Sequence, residues 1–142
     1  AWVDPLHVVH QFLADAVHVW DLGVLAYPDA VIDDSAKMLD EIGISAELID
    51  PRTLVPLDKE TLIESVKKTS RAIVIDEGYE QYGVTAELAS VIADGAFYYL
   101  DAPVKRMGAM NVPIPFSPVL EDLTIPNAKG VFEMAKSLCG IK

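Results

Sequence analysis

Cysteine is almost missing from these 142 residues: Cys139 stands alone. A single thiol excludes an internal disulfide and any zinc site built from paired cysteines. Its position near the end of the chain places it on the apolar face of a last helix, as a buried structural thiol rather than a nucleophile. Basic residues are scarce too. Eleven Lys and Arg stand against 22 Asp and Glu, a formal net charge of −11. That field repels phosphate backbones, so nucleic acid is a poor partner. A basic protein surface suits the charge better, although acidity that merely keeps a protein dispersed accounts for it as well. Long apolar runs are also lacking. Ala72–Ile75 is typical of them, far short of the about 20 residues a bilayer span needs, so no membrane partner is expected. Asp4 and Asp15 flank the early apolar residues where a secretory signal would carry basic ones, which points to the cytoplasm.

The signatures of common chemistry are missing as well. Neither GxGxxG nor GxxxxGK[ST] occurs, which removes the usual nucleotide loops. His7, His10 and His18 all fall in the first 18 residues. His7 and His10 would share a helix face, but no carboxylate completes a zinc motif of the HExxH kind, and a solvated or interfacial role fits them better. No serine, cysteine and histidine form a recognisable nucleophile elbow. Paired acids occur at Asp33-Asp34, Asp40-Glu41, Asp76-Glu77 and Glu121-Asp122. Asp76-Glu77 is expected just after a strand, at the carboxyl edge where α/β sheets bind ligands. It could hold Mg²⁺ or act as a base, yet a hydrogen-bonded loop anchor explains it more simply. Gly78 and Gly83 precede a helix and could expose amides to an anion; a tight turn explains them equally. No catalytic, cofactor-binding or metal-binding residue is therefore assigned.

What is present is composition and rhythm. Apolar residues make up 51% of the chain, enough for a real core in a single domain of ordinary size. Residues 29–42 carry Val31, Ser35, Met38, Leu39 and Ile42 on one helical face, with Gly43 as a stop. Ile44–Ile49 reads as a strand, and Pro51–Leu57 as a loop between prolines. Asp58 caps a helix to about Thr69, with Leu62, Ile63 and Val66 inward. Arg71–Asp76 is a buried-strand pattern, Glu77–Gly83 a polar loop. A helix then runs to about Leu100 with Val84, Leu88, Val91 and Ile92 at helical spacing. Val104–Met107 reads as a strand, residues 108–126 as irregular, and a last helix follows Asn127 as its cap. For the first 28 residues the spacing of Leu6, Val9 and Leu13 predicts a helix at about 5–14, with a strand within 17–27 and no further assignment. Residues 29–142 form the expected domain. Alternation of strand and helix implies right-handed crossovers. The expected fold is α/β, doubly wound, with a mostly parallel sheet and helices on both faces.

Four ordered segments carry a resemblance. They are Gly43-Ile44-Ser45-Ala46-Glu47-Leu48-Ile49-Asp50-Pro51-Arg52-Thr53-Leu54, running into Val55-Pro56-Leu57-Asp58; Glu64–Thr69 with Ile73–Glu77; Gly83–Leu88; and Leu100–Arg106 with Val112–Glu121. Their order and spacing are kept over about residues 43–138, and they resemble the C-terminal, transketolase-like domain of E1 beta subunits from pyruvate, branched-chain 2-oxoacid and acetoin dehydrogenase complexes. Transketolase and deoxyxylulose-phosphate synthase share the domain, but the Pro113-Ile114-Pro115-Phe116-Ser117-Pro118 run resembles E1 beta more. Gln81-Tyr82 stands where the family commonly has a glycine pair.

The resemblance implies an oxidoreductase component that uses thiamine diphosphate and Mg²⁺, both bound outside this domain. The domain itself would be inactive in isolation. Implied partners are an E1 alpha subunit, a second E1 beta subunit and the peripheral-subunit-binding domain of E2, which is basic in many family members. Candidate contacts are Asp101, Glu121, Asp122 and Lys142. The implied location is the cytoplasm, or the mitochondrial matrix in a eukaryote. The rival reading is a stand-alone α/β module that binds a small anion at the 77–84 loop.

Overall fold

The structure, a computed structural model, describes residues 6–7, 22–26 and 30–141. Among the described residues five strands form one sheet in the order β1-β3-β2-β4-β5. They are β1 (Leu6–His7), β2 (Leu22–Ala26), β3 (Ala46–Pro51), β4 (Ala72–Tyr79) and β5 (Lys105–Ala109). β2, β3, β4 and β5 run parallel, while β1 pairs antiparallel on the outer edge of β3, Leu6 opposite Pro51 and His7 opposite Asp50. The chain leaves β2 for β3 on one side, then crosses back over β2 to reach β4 and β5. This reversal is the doubly wound topology that the alternation of elements predicted.

Helices α1 (Ala30–Glu41) and α5 (Ala128–Leu138) cover one face; α2 (Lys59–Thr69) and α3 (Val84–Ala96) cover the other. Side chains alternate across a strand, so β4 serves both cores at once. Ala72 and Val74 join Leu62, Val66, Leu88 and Ile92 under α2 and α3. Ile73 and Ile75 join Ile32, Leu39, Val131 and Ala135 under α1 and α5. That two-sided burial is why Arg71–Asp76 reads as a continuous apolar run.

Local chemistry sets the helix ends. Asp58 accepts the Thr61 amide on Oδ1 and the Thr61 hydroxyl on Oδ2, both at 3.0 Å, and so caps α2. Asn127 Oδ1 accepts the Gly130 amide at 2.9 Å and caps α5. Gly43, at φ +79°, ends α1 in the left-handed region, where a Cβ would be strained. The Ser65 hydroxyl donates to Glu47 at 2.6 Å, and Lys68 ion-pairs with the same carboxylate, tying α2 to β3.

Several expectations need correction. Leu6–His7 is a strand, not part of a helix at 5–14, because the free edge of β3 supplies backbone partners; the rest of that segment lies outside the described residues, as do His10, His18 and Lys142. The strand expected within 17–27 is β2. Ile42 follows the last residue of α1 and is exposed, while Ile32 and Ala36 take the buried positions. Pro51 closes β3 rather than opening the loop, as an edge ladder tolerates a proline. β4 continues to Tyr79, so Asp76 and Glu77 lie within a strand. α3 ends at Ala96 and passes through a 3₁₀ turn at Phe97–Tyr99. Residues 108–126 are not wholly irregular: α4 (Pro118–Glu121) forms one turn. Cys139 is the C-cap of α5 and is half-buried against the second core.

Candidate functional site

The sequence of α3 builds one open concavity among the described residues. Its inward stripe is Leu88, Val91 and Ile92, but the opposite side is not polar. Ala86, Ala89, Ser90 and Ala93 recur at i, i+3, i+4 and i+7, and the row continues to Phe97. With Leu100 and the Asp101–Val104 segment they enclose an open, apolar groove of about 760 Å³. Phe97 is 67% exposed and Tyr98 94%. Their rings meet edge to face, with centroids 5.4 Å apart. Two neighbouring aromatics are thus left in water as an exposed apolar patch.

Asp101 supplies a charge at the groove's rim. Its amide donates to the Ser70 carbonyl at 2.8 Å, and its carboxylate lies 3.8 Å from Arg71, a loose contact that leaves the charge available. Beside the groove Lys67 lies over the Tyr99 ring at 5.4 Å. The Lys67 ammonium donates to Glu64 at 2.6 Å, which raises its pKa above the usual lysine value. Sequence reasoning missed Phe97 and Tyr98. The available signal was that α3 is apolar nearly all round, with Glu87 and Asp94 as its charged residues.

Glu121 and Asp122 do not join Asp101. Asp101 precedes β5, and its bond to Ser70 fixes it at the amino end of the sheet. Glu121 and Asp122 follow β5, held near its carboxyl end because Met110 donates to Thr124 at 2.7 Å and Thr124 donates to Glu121 at 2.7 Å. The three described candidate contacts thus divide between the two ends of the sheet, and Lys142 lies outside the described residues.

The 76–84 region is organised sterically. Asp76 Oδ2 accepts the Gly78 amide at 3.1 Å, a loop anchor. A Cβ on Gly83 would run into the Tyr79 carbonyl oxygen, so the chain needs a bare residue there. The N-terminus of α3 has no side-chain cap, and the Thr85 hydroxyl is buried without a partner. Glu87 occupies the first turn, however, and Glu77 and Glu80 stand exposed nearby; all three oppose an anion. Among the described residues no His, Cys, Asp or Glu group is placed to hold a metal ion, and no helix is long and apolar enough to cross a membrane.

Residues 31–131 match the family described as Transketolase, C-terminal domain. The chain belongs to that family. It is 44% identical over 106 residues to the pyruvate dehydrogenase E1 component subunit beta of Rickettsia felis, covering 75% of this chain and 32% of that protein. It is 42% identical over 107 residues to the acetoin:2,6-dichlorophenolindophenol oxidoreductase subunit beta of Bacillus subtilis, covering 75% and 31%. The mitochondrial pyruvate dehydrogenase E1 component subunit beta-1 of Arabidopsis thaliana is 42% identical over 105 residues, with 74% and 29% covered. The chain therefore spans about a third of the length of these relatives. Among solved structures a split gene transketolase, an inactive beta4 tetramer, superimposes with a TM-score of 0.71 at 24% identity, over 99% of this chain and 43% of that one. The 2-oxoglutarate:ferredoxin oxidoreductase of Magnetococcus marinus gives 0.63 at 10% identity, over 97% and 20%. These two share the fold. As a transketolase C-terminal domain, the chain has the doubly wound α/β architecture that its sequence implied.

Proposed function

We propose that this chain is the assembly domain of an E1 beta subunit in a thiamine-diphosphate-dependent 2-oxoacid or acetoin dehydrogenase. Its task is to pair with a second beta subunit and to dock the peripheral-subunit-binding domain of E2. The chemistry, with thiamine diphosphate and Mg²⁺, belongs to other parts of the enzyme and to the E1 alpha subunit. The domain proposed at 29–142 takes in β2 as well, since β2 is the sheet's central strand. The enzyme is placed in the cytoplasm, or in the mitochondrial matrix of a eukaryote.

One observation carries this reading: the apolar groove on α3, with Phe97 and Tyr98 exposed and Asp101 at its edge. Exposed aromatics give binding energy when a partner removes them from water, and an acidic rim steers a basic module toward them. The test is sedimentation equilibrium of the chain, alone and with an E2 peripheral-subunit-binding domain. A pair that captures the E2 domain supports the proposal. A monomer that ignores it removes the groove from the assembly role.

A further inference from the structure

The aromatic rim of the α3 groove sits on a turn with little of its own to hold it. Phe97–Tyr99 is a three-residue 3₁₀ helix with no side-chain cap and no buried residue. Its closing bond, from the Leu100 amide to the Phe97 carbonyl, is long at 3.4 Å. A single such turn has poor hydrogen-bond geometry and no cooperativity to draw on. Three contacts from the carboxyl end of α2 bracket it instead. The Lys67 ammonium lies over the Tyr99 ring at 5.4 Å, the Ser70 carbonyl accepts the Asp101 amide at 2.8 Å, and Arg71 lies 3.8 Å from the Asp101 carboxylate. Ser70 closes α2 at a φ of 57°, a left-handed cap that reverses the chain at this point.

Of these three contacts, that of Lys67 alone reaches the turn itself. The Lys67 ammonium donates to Glu64 at 2.6 Å, one turn back on α2, and this bond holds a long, flexible side chain in one place. A cation over an aromatic face is attracted by the ring's quadrupole. The contact pins Tyr99 against α2 and leaves the two residues before it, Phe97 and Tyr98, exposed. We propose that Lys67 is a positioning residue for the docking surface: through Tyr99 it holds the 97–99 turn in the arrangement that presents Phe97 and Tyr98 to a partner. A plain surface ion pair with Glu64 would have no such effect, since removing its charge would change nothing at the turn. The consequence for binding rests on the α3 groove being the assembly surface, whereas the ordering of the turn does not.

The test compares the full chain with Lys67→Met, which keeps the stem and removes the charge, and with Lys67→Arg, which keeps the charge. Amide hydrogen exchange read by NMR reports how often the turn opens. Lys67→Met should speed exchange at Leu100 and Asp101 about two- to fivefold, the range a cation–π contact at an exposed site supports. Tm should stay within about 2 °C, as for other surface substitutions, and Lys67→Arg should exchange like the parent. Adding Lys67→Met to Tyr99→Leu should change nothing further, because one contact cannot be lost twice. Sedimentation equilibrium of the same preparations should show pairing weakened by a similar factor in Lys67→Met and kept in Lys67→Arg, since fewer molecules then hold the binding arrangement. Unaltered exchange or unaltered pairing in Lys67→Met would overturn the proposal, as would additive effects of the two substitutions. A parent chain that does not pair at all strikes the assembly reading instead, and exchange at Leu100 and Asp101 then decides alone whether Lys67 holds the turn.

Discussion

Replacing Phe97 with serine should separate folding from assembly, because the ring is divided unequally between the two. A phenylalanine side chain offers about 200 Å² of surface, and here about a third of it is covered within the domain. At about 25 cal/mol/Å² the covered part contributes about 1.5 kcal/mol to folding and the exposed part about 3 kcal/mol to a partner that buries it fully. Unfolding entropy of about 2.1 cal/mol/K per residue over 142 residues converts the first figure into a fall in Tm of about 5 °C. The second corresponds to pairing weakened by about a hundredfold, and an interface related by a two-fold axis carries the change twice. Sedimentation equilibrium and thermal unfolding of the same Phe97→Ser preparation measure both. A large loss of Tm with unchanged association would refute the reasoning, since the ring would then belong to the core and not to an interface.

Asp101→Lys should weaken capture of a basic E2 domain at low salt while leaving Tm within about 2 °C, as its 3.8 Å contact with Arg71 is loose and exposed; affinity measured at two ionic strengths checks this. Leu62→Ala, at a site with no solvent exposure between α2 and the sheet, should cost about 3 kcal/mol and lower Tm by about 10 °C. Asp58→Ala removes the cap of α2 and should cost about 1 kcal/mol, read as a shift in denaturant midpoint at constant slope.

Much of the fold was legible because it is written locally. Asp58, Gly43 and Asn127 announce helix ends through bonds that span three or four residues, and those ends fell where expected. The four-residue run Ala72–Ile75 announces a strand buried on both faces. What depends on distant partners was not legible. Leu6–His7 follows a spacing that suits a helix, yet pairs with β3 because that edge offers a ladder. Polar Asp76 and Glu77 look like loop residues but remain in β4, since β5 still pairs as far as Tyr79. Asp101 and Glu121 look alike as exposed acids, and only the path of β5 between them assigns them to different ends. The approach of the 79–83 loop to the chain after β5 rests on contacts such as Gln81 with Asn111, thirty residues apart.

The two ends are joined by β4, eight residues long, paired with β2 over Ala72–Ile75 and with β5 on its other side, with a register shift between Ile75 and Tyr79. At about 3.3 Å per residue it measures about 26 Å, and its first half, paired on both sides, resists stretching and bending. The domain can therefore act as a spacer that holds its two ends at a set distance. Changing the side chains at one end would leave the other end's geometry untouched, whereas adding or deleting residues within the strands would alter the distance itself.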